Sequence, residues 1–320
     1  MTKRFWLTLL LGLVALGGIS WCYLALGLPD DVDMAQVIVT ELRMPRLLCA
    51  LGVGGLLSMA GVVMQALFRN PLVEPYTMGL SGGAVVGVAL TFATGLVALL
   101  GALAMPIGAM VGGMVSVAMV LSIRRLVHSD GGAMLMCGIM VSFVSSAVTT
   151  ILLSLSGREE MAQILAWTIG SFVGTGWGLS VAVVVAAGVV CLASPLVGNV
   201  LNVLSLGDEE ARSLGVPVRW LEGTLFVGSA LLAGLAVSAS GLVAFVGMAV
   251  PHFIRSAVGA DNRLVLPLSG LVGAAFVAGC DLVAKSIVAP LELPVGAITS
   301  AVGGVAFIYV LIGWRRNRLN

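Results

Sequence analysis

Long apolar runs, separated by short polar stretches, dominate the pattern of residues along this chain. Each run approaches the roughly 20 residues that a helix needs to cross the hydrocarbon of a bilayer. The runs that meet this criterion are the ten segments 5–28, 46–68, 77–98, 103–123, 132–155, 177–201, 221–240, 242–257, 266–288 and 298–314. Pro251 and His252 interrupt the eighth run. The pattern predicts an all-α polytopic membrane protein that forms a single transmembrane domain over residues 1–320.

The composition agrees with a bilayer location, because 59% of the 320 residues are hydrophobic and only 10% are charged. The first run follows Lys3 and Arg4, as a secretory signal would. It is too long for a signal and lacks a small-residue cleavage site, so we expect a retained helix. The five cysteines stand singly, without CxxC spacing. With only two histidines in the chain, no resident metal site is predicted.

The positions of the basic residues predict the orientation, because short loops rich in Lys and Arg stay on the cytoplasmic side. Most of them lie at the two termini and in the connections after the fourth and sixth runs: Lys3, Arg4, Arg124, Arg125, His128, Arg212, Arg219, Arg315, Arg316 and Arg318. Both termini are then cytoplasmic, and the acidic stretch 30–41 and the loop 157–160 are external. Arg43 and Arg46 are exceptions, because they lie on the outer side just before the second run.

A weak internal repeat is present at an offset of 180 residues, the difference between the paired positions. Leu51, Gly54, Ser58, Gly61, Val63 and Pro71 match Leu231, Gly234, Ser238, Gly241, Val243 and Pro251. Five runs separate the copies, so the second copy would be inverted in the membrane, a plan that recurs in transporters. The 42 glycines, several at helical spacing, predict closely packed helices.

One dense polar segment, residues 206–218 (LGDEEARSLGVPV), interrupts the apolar chain between the sixth and seventh runs. Its glycines and Pro217 predict a short helix, a turn and a second short helix. The three consecutive acids favour a helix N-terminus. From composition alone, the segment is either a solvated connection or a docking surface for another protein.

A nucleotide site is not expected in this chain, because the sequence contains no GxxxxGK[ST] phosphate-binding loop. The only two lysines, Lys3 and Lys285, do not follow glycine-rich loops. We therefore expect no enzyme activity and no cofactor on this chain. ATP and Mg²⁺ would be bound by a partner subunit, and no nucleic-acid partner is expected.

Four segments of the sequence carry a family resemblance. They are ELRMPRLLCALGVGGLLSMAGVVMQALFRNPLVEPYTMGLSGGA (41–84), LGDEEARSLGVPV, GLVAFVGMAVPHFIR (241–255) and ELPVGAITSAVGG (292–304). Together they resemble the FecCD family, the permease subunits of bacterial ABC importers for iron-siderophores, haem and vitamin B12. The resemblance implies a type II ABC importer fold and a homodimer of ten-helix subunits in the bacterial cytoplasmic (inner) membrane. It also implies two cytoplasmic ATPases and an external substrate-binding protein.

The resemblance gives roles to charged residues at both membrane faces. It places coupling helices in segment 206–218, with contact to the ATPase through Gly207, Asp208, Glu209, Glu210, Arg212, Leu214 and Gly215. Arg43 and Arg46 are predicted to bind carboxylates of the external binding protein, since arginine suits bidentate pairing. The alternative is that they extend to lipid phosphate. Lys285 joins them by resemblance, although an i,i+4 pair with Asp281 would also satisfy it.

Hydroxyl residues in the fifth run recur at three- and four-residue spacing and form a stripe on one helical face. They are Ser142, Ser145, Ser146, Thr149 and Thr150. Such hydroxyls either bond within their own helix and to a neighbour or, as the resemblance implies, line the translocation path at the dimer axis. The break at 69–75 is predicted to be a turn, because proline cannot continue a helix. His252 and Arg255 are further candidates for contact with the ATPase.

The predicted function is a permease subunit that moves a ferric siderophore, or haem or cobalamin, into the cytoplasm. An ion-gradient-driven secondary transporter is the alternative. It would require acids within the spans, where Asp281 is the main example. An intramembrane enzyme would need a His, Asp or Ser grouping that the sequence lacks. Only the first hypothesis requires a bound ATPase.

Overall fold

Helices and their connections make up the structure, a computed structural model that describes residues 2–127 and 131–317. No strand occurs within those two ranges. The α-helices are α1 (Thr2–Ala25), α2 (Val32–Val37), α3 (Met44–Leu67), α4 (Leu80–Ala93), α5 (Leu96–Leu100), α6 (Ala104–Val127), α7 (Gly131–Leu155), α8 (Arg158–Thr168), α9 (Trp177–Leu204), α10 (Asp208–Ser213), α11 (Val218–Ser240), α12 (Val246–Val258), α13 (Asn262–Ser286) and α14 (Val295–Asn317). A π-helical turn, Ile38–Arg43, joins α2 to α3.

The predicted all-α membrane fold is confirmed, because one main helix corresponds to each of the ten apolar runs. Within the described residues, seven helical stretches have the length and apolar composition to cross a membrane. Helix α4 and residues 295–308 of α14 are shorter apolar helices. The eighth run is broken, but the predicted interruption at Pro251 and His252 is wrong, because both residues lie inside the continuous helix α12. Residues 241–245 are irregular, and α12 begins only at Val246.

Helix α3 is the centre of the bundle, where it packs against α9, α11 and α13. Its glycines allow direct contact between backbones. A Cβ at Gly54 would overlap the carbonyl oxygen of Gly273 in α13, and one at Gly61 would overlap that of Gly247 in α12. The close helix packing predicted from the glycine content is therefore present, since lipid supplies little other reason for helices to associate.

Helices α4 and α12 are unusually short, at 14 and 13 residues. Each is directly preceded by a residue with left-handed backbone, Gly79 with φ of 80° and Phe245 with φ of 68°. They follow α3 and α11, the two helices that the predicted repeat pairs, which supports a duplication. However, Gly61 lies inside α3 whereas its match Gly241 ends α11. The 180-residue register therefore does not reproduce the helix boundaries, and the inversion of the second copy stays a prediction.

Helix α8 was not predicted, because 11 residues are too few to span a membrane and its sequence is mixed in polarity. It begins in the loop 157–160, where the Glu160 carboxylate accepts a hydrogen bond from the Gly157 N–H at 3.1 Å. Ile164 is buried in the core. The helix ends before Gly170, where a Cβ would overlap the Leu242 carbonyl oxygen. Helix α8 thus brings the chain into contact with the irregular segment 241–245.

Candidate functional site

The two ends of α3 define the two polar regions of the bundle. Arg46 lies in its first turn, and Leu67 is its last residue. A helix of 24 residues is about 36 Å long. We call the region beside Leu67 the α10 end, because Leu67 packs against the cluster formed by Leu204, Ala211 and Val218. The region around Arg46 is called the Arg46 end.

Helix α10 carries most of the residues predicted for coupling, and it is a single short helix rather than the first of two. Pro217 directly precedes α11, so the second short helix predicted in segment 206–218 is wrong. The apolar sequence after Pro217 continues as a long helix instead. Ala211 is buried between α9 and α11 and anchors α10 to the bundle.

Most of the predicted coupling residues face away from the bundle. Glu209, Glu210, Arg212, Leu214 and Gly215 are exposed, Asp208 is half-buried and Gly207 is buried. The Leu214 side chain is 62% exposed, and Leu206 and Trp220, on either side of α10 in the sequence, are also exposed. An acidic helix flanked by exposed apolar side chains has the composition of a contact surface for another protein.

Residues 68–79, which we call the 68–79 link, connect α3 to α4 and confirm the predicted turn. The link also reaches into the bundle, which the sequence did not indicate. The Tyr76 hydroxyl accepts a hydrogen bond from the Val243 N–H at 3.3 Å. The Glu74 carboxylate accepts one from the Phe245 N–H, while its burial raises the pKa of this carboxyl. The link thereby holds the irregular segment that precedes α12.

At the Arg46 end, a buried charge network joins α3 to α13. Arg46 donates from Nε and Nη2 to the two carboxylate oxygens of Asp281, at 2.9 and 2.8 Å. Its Nη1 donates to Glu292 at 2.7 Å. The Tyr23 hydroxyl of α1 donates to the same Asp281 carboxylate. The Asp281 side chain is 1% exposed and that of Glu292 is 39% exposed, so the two acids on Arg46 differ sharply in access to solvent.

The other two cations predicted to dock a binding protein also have partners within the chain. Arg43 donates to the Leu24, Leu26 and Gly27 carbonyl oxygens, at 2.9, 2.6 and 3.0 Å, and so caps the end of α1. Lys285 donates to the Tyr23 carbonyl oxygen at 3.1 Å, and its Nζ lies 3.4 Å from the centre of the Tyr23 ring. The alternative Lys285–Asp281 pair is wrong, because Asp281 pairs with Arg46.

These three cations line an open cavity of about 650 Å³, together with Glu41, Glu292 and Phe172. Three basic and two acidic side chains of the Arg46 end therefore face the same open space. Its positive groups are held by intramolecular bonds, so any partner that binds here must share or displace those bonds.

The hydroxyl stripe of α7 divides into a packed part and an exposed part. Ser145 is buried and fills the space that a side chain at Gly82 of α4 would need. Ser146 and Thr150 are exposed, whereas Ser142 and Thr149 are half-buried. Ser142 donates to the Gly138 carbonyl oxygen and Thr150 to that of Ser146, both at 2.9 Å. The predicted bonding of the stripe to its own helix is therefore present for Ser142 and Thr150. The role of the stripe in a translocation path stays a prediction.

A second cavity, of about 350 Å³, lies between the 68–79 link and α7. Its lining includes Asn70 and Thr77 from the link, and Ser142 and Phe143 from α7. Half-buried Ser142 therefore connects the stripe to a space bounded by the link.

Arg255 of α12 faces its own bundle. It donates to the Gln65 side-chain oxygen and, at 3.4 Å, to the Val62 carbonyl oxygen and the Asn262 side-chain oxygen. These bonds join α12 to α3 and α13. The His252 ring packs edge-on against Phe307, with the ring centres 6.0 Å apart. His128 and Arg318, which contributed to the predicted orientation, lie outside the described residues.

Comparison with known proteins gives matches over nearly the whole chain. The model of the FecCD transport family matches residues 5–313. The hemin transport system permease protein HmuU of Yersinia pestis is 35% identical over 97% of this chain and 93% of its own. The vitamin B12 import system permease protein BtuC of Vibrio cholerae is 34% identical over 88% of this chain and 84% of its own. A solved ABC transporter, described as metal-chelate type and inward-facing, superposes with a TM-score of 0.83 at 28% identity. That match covers 98% of this chain and 100% of the solved chain.

Proposed function

Because the chain belongs to the FecCD transport family, we propose that it is the transmembrane subunit of an ATP-driven importer for a bulky metal chelate. The relatives transport hemin and vitamin B12 at nearly equal identity to this chain, 35% and 34%. The proposed cargo class is therefore an organic metal chelate: haem, cobalamin or a ferric siderophore. The chain supplies the path, and partner subunits bind ATP and Mg²⁺.

The observation that carries this proposal is α10, an exposed acidic helix anchored to the bundle by one buried residue, Ala211. Another protein can bind the exposed acidic side of this helix while Ala211 keeps the helix attached to α9 and α11. We propose that it seats in a groove of an ATPase, one ATPase for each subunit of a homodimer. The α10 end and both termini are then cytoplasmic, in agreement with the positive-inside rule.

The Arg46 end is then external and faces the substrate-binding protein. The cavity there presents Arg43, Arg46 and Lys285. An acidic surface on the binding protein fits this site, because a partner carboxylate can take over the donor that Arg46 now gives to half-exposed Glu292. Asp281 remains in place beneath and keeps the guanidinium oriented.

We further propose that the exposed side of α7 lines the path for cargo at the homodimer axis. Exposed Ser146 and Thr150 can wet this path without binding the chelate tightly. Large apolar side chains such as Phe143, which is also exposed, suit the flat ring system of a tetrapyrrole.

Co-purification followed by reconstitution tests the proposal. The chain should be isolated with an ATPase subunit, and proteoliposomes that contain both, with the binding protein, should accumulate chelate only when ATP is hydrolysed. Glu210→Arg should lower uptake per ATP and weaken ATPase binding, because it reverses a charge on α10. The matched control is Glu159→Arg at the exposed N-terminus of α8, distant from α10 in the chain. Uptake driven by an ion gradient without an ATPase would favour a secondary transporter and refute the proposal.

A further inference from the structure

Arg69 occupies a backbone position that normally belongs to glycine. It follows the last turn of α3, and the Asn70 N–H bonds to the Gln65 carbonyl oxygen at 3.2 Å. This six-to-one bond is that of a Schellman motif, whose left-handed residue is usually glycine. Arg69 has a φ of 47°. A left-handed backbone is unfavourable for an ordinary L-residue, and the Arg69 side chain makes contacts that glycine could not make.

The Arg69 side chain contacts two elements at the α10 end. One terminal nitrogen donates to the Asp208 carboxylate, which lies on the first residue of α10. Its Nε donates to the Leu204 carbonyl oxygen at the end of α9, at 3.3 Å. A single guanidinium therefore joins the start of the 68–79 link to both sides of the α9–α10 connection.

The energetic value of this contact to folding is small. Both side chains of the Arg69–Asp208 pair are 43% exposed. Exposed ion pairs contribute little to stability, so this pair does not offset the cost of the left-handed backbone. The buried cluster of Leu204, Ala211 and Val218, against which Leu67 packs, already attaches α10 to the bundle. Stability therefore gives no reason to have arginine here instead of glycine.

The link that starts at Arg69 ends against the surface assigned to the cargo path. Asn70 and Thr77 share a cavity with Ser142 of α7. The same link holds Val243 through Tyr76 and Phe245 through Glu74. A displacement of α10 that is transmitted to Arg69 would reach both α7 and the start of α12.

We propose that Arg69 is a positioning residue that transmits movement of α10 to the 68–79 link, and through it to the α7 face of the path. This inference depends on the proposed function, since α10 must be moved by an ATPase. The Arg69 guanidinium and its two acceptors, on Asp208 and Leu204, move as one unit. The 68–79 link must therefore follow α10 when α10 is displaced.

Arg69→Gly provides the sharpest test, because glycine relieves the backbone strain and removes only the side chain. We expect this variant to be at least as heat-stable as the natural protein and to keep ATPase binding and ATP hydrolysis. Chelate uptake per ATP hydrolysed should fall by between about 2-fold and about 30-fold, the range that corresponds to coupling changes of 0.5–2 kcal/mol. Arg219→Ala, which removes an exposed arginine at the same end, is the matched control and should leave the ratio unchanged.

A charge exchange completes the experiment. Arg69→Asp alone should uncouple, and Arg69→Asp combined with Asp208→Arg should recover part of the lost uptake per ATP. If Arg69→Gly keeps the natural ratio, the inference is wrong, while ATPase binding and ATP-driven uptake by the natural protein would still support the proposed function. If the natural protein neither binds an ATPase nor transports with ATP, the proposed function itself fails.

Discussion

Arg46 and Asp281 lie 235 residues apart in the sequence and form a bidentate ion pair with distances of 2.9 and 2.8 Å. The pair joins α3 to α13, and Tyr23 from α1 donates to the same carboxylate. Asp281 was the main acid that could have carried ions in a secondary transporter. Its charge is matched by the mostly buried Arg46 guanidinium and both of its oxygens accept hydrogen bonds, which favours a structural role over an exchangeable ion site.

Asp281→Asn should destabilise the protein. It removes the buried negative charge that pairs with Arg46 and leaves the mostly buried guanidinium with half-exposed Glu292 as its remaining acidic partner. Breaking a buried ion pair from one side costs about 3–5 kcal/mol. Thermal unfolding in detergent should show a clear decrease in Tm. The double variant Arg46→Met, Asp281→Leu should be closer to the natural protein, since apolar replacement of both partners is far less costly. An unchanged Tm for the single variant would show that the pair is not needed.

Glu292→Gln should strengthen binding of an acidic docking partner. Glu292 occupies the Nη1 donor of Arg46 and is 39% exposed, so it competes with an incoming carboxylate. The matched control is Glu41→Gln, which removes an equal charge from the same cavity. Binding affinity, measured at physiological salt, should rise more for Glu292→Gln than for the control. Equal changes would indicate general electrostatics only, and weaker binding would count against competition.

Substitution at Gly61 should be costly, whereas the same change at Gly228 should be tolerated. A Cβ at Gly61 overlaps the Gly247 backbone, but a Cβ at Gly228 of α11 meets open space. We expect Gly61→Ala to cost about 1–3 kcal/mol and Gly228→Ala to be neutral or stabilising. Yield and Tm of the purified variants measure this difference.

Single cysteines at Ser145 and Ser146 should differ in reactivity, after exposed Cys191 has been replaced. Ser145 is buried against α4, while Ser146 is exposed. A polar maleimide should therefore label position 146 and spare position 145. If α7 lines the path, labelling at 146 should depend on ATP and cargo. Labelling that ignores both would indicate that this face is not in the path.

The stabilising contribution of the ionised Asp261 carboxylate should be constant near neutral pH and should be lost only in strong acid. Asp261 caps α13 and accepts hydrogen bonds from Arg263 and, at 2.7 Å, from Asn202 of α9. The bond from Arg263 is the main reason that the pKa of this carboxyl falls to about 2. Because the folded pKa lies below the unfolded value of about 3.9, the contribution is complete above about pH 4 and is lost as the pH falls through about 2. The Tm difference between the natural protein and Asp261→Asn should shrink over this interval.

The main helices could be predicted from sequence because an apolar run of membrane length has few alternatives to a spanning helix. Helix α10 was predictable as well, since its acids stand out against apolar neighbours. Phe245 shows why other features were not. Its left-handed backbone donates to Glu74 and its side chain packs against Gly303. These contacts join distant parts of the chain. Likewise, the sequence indicated that Arg43, Arg46 and Lys285 lie near the same face of the membrane. It could not indicate their hydrogen-bond acceptors, which are distant in the chain.

The glycine contacts of α3 bear on how the subunit can change shape. At Gly54 and Gly61, main chain meets main chain with no layer of side chains between. Helices that slide past each other usually do so through side chains that change rotamer at the contact. At these two positions no side chain separates the backbones. We therefore expect α3, α12 and α13 to move together as one rigid unit in the proposed transport cycle, with any hinge at the edges of that unit.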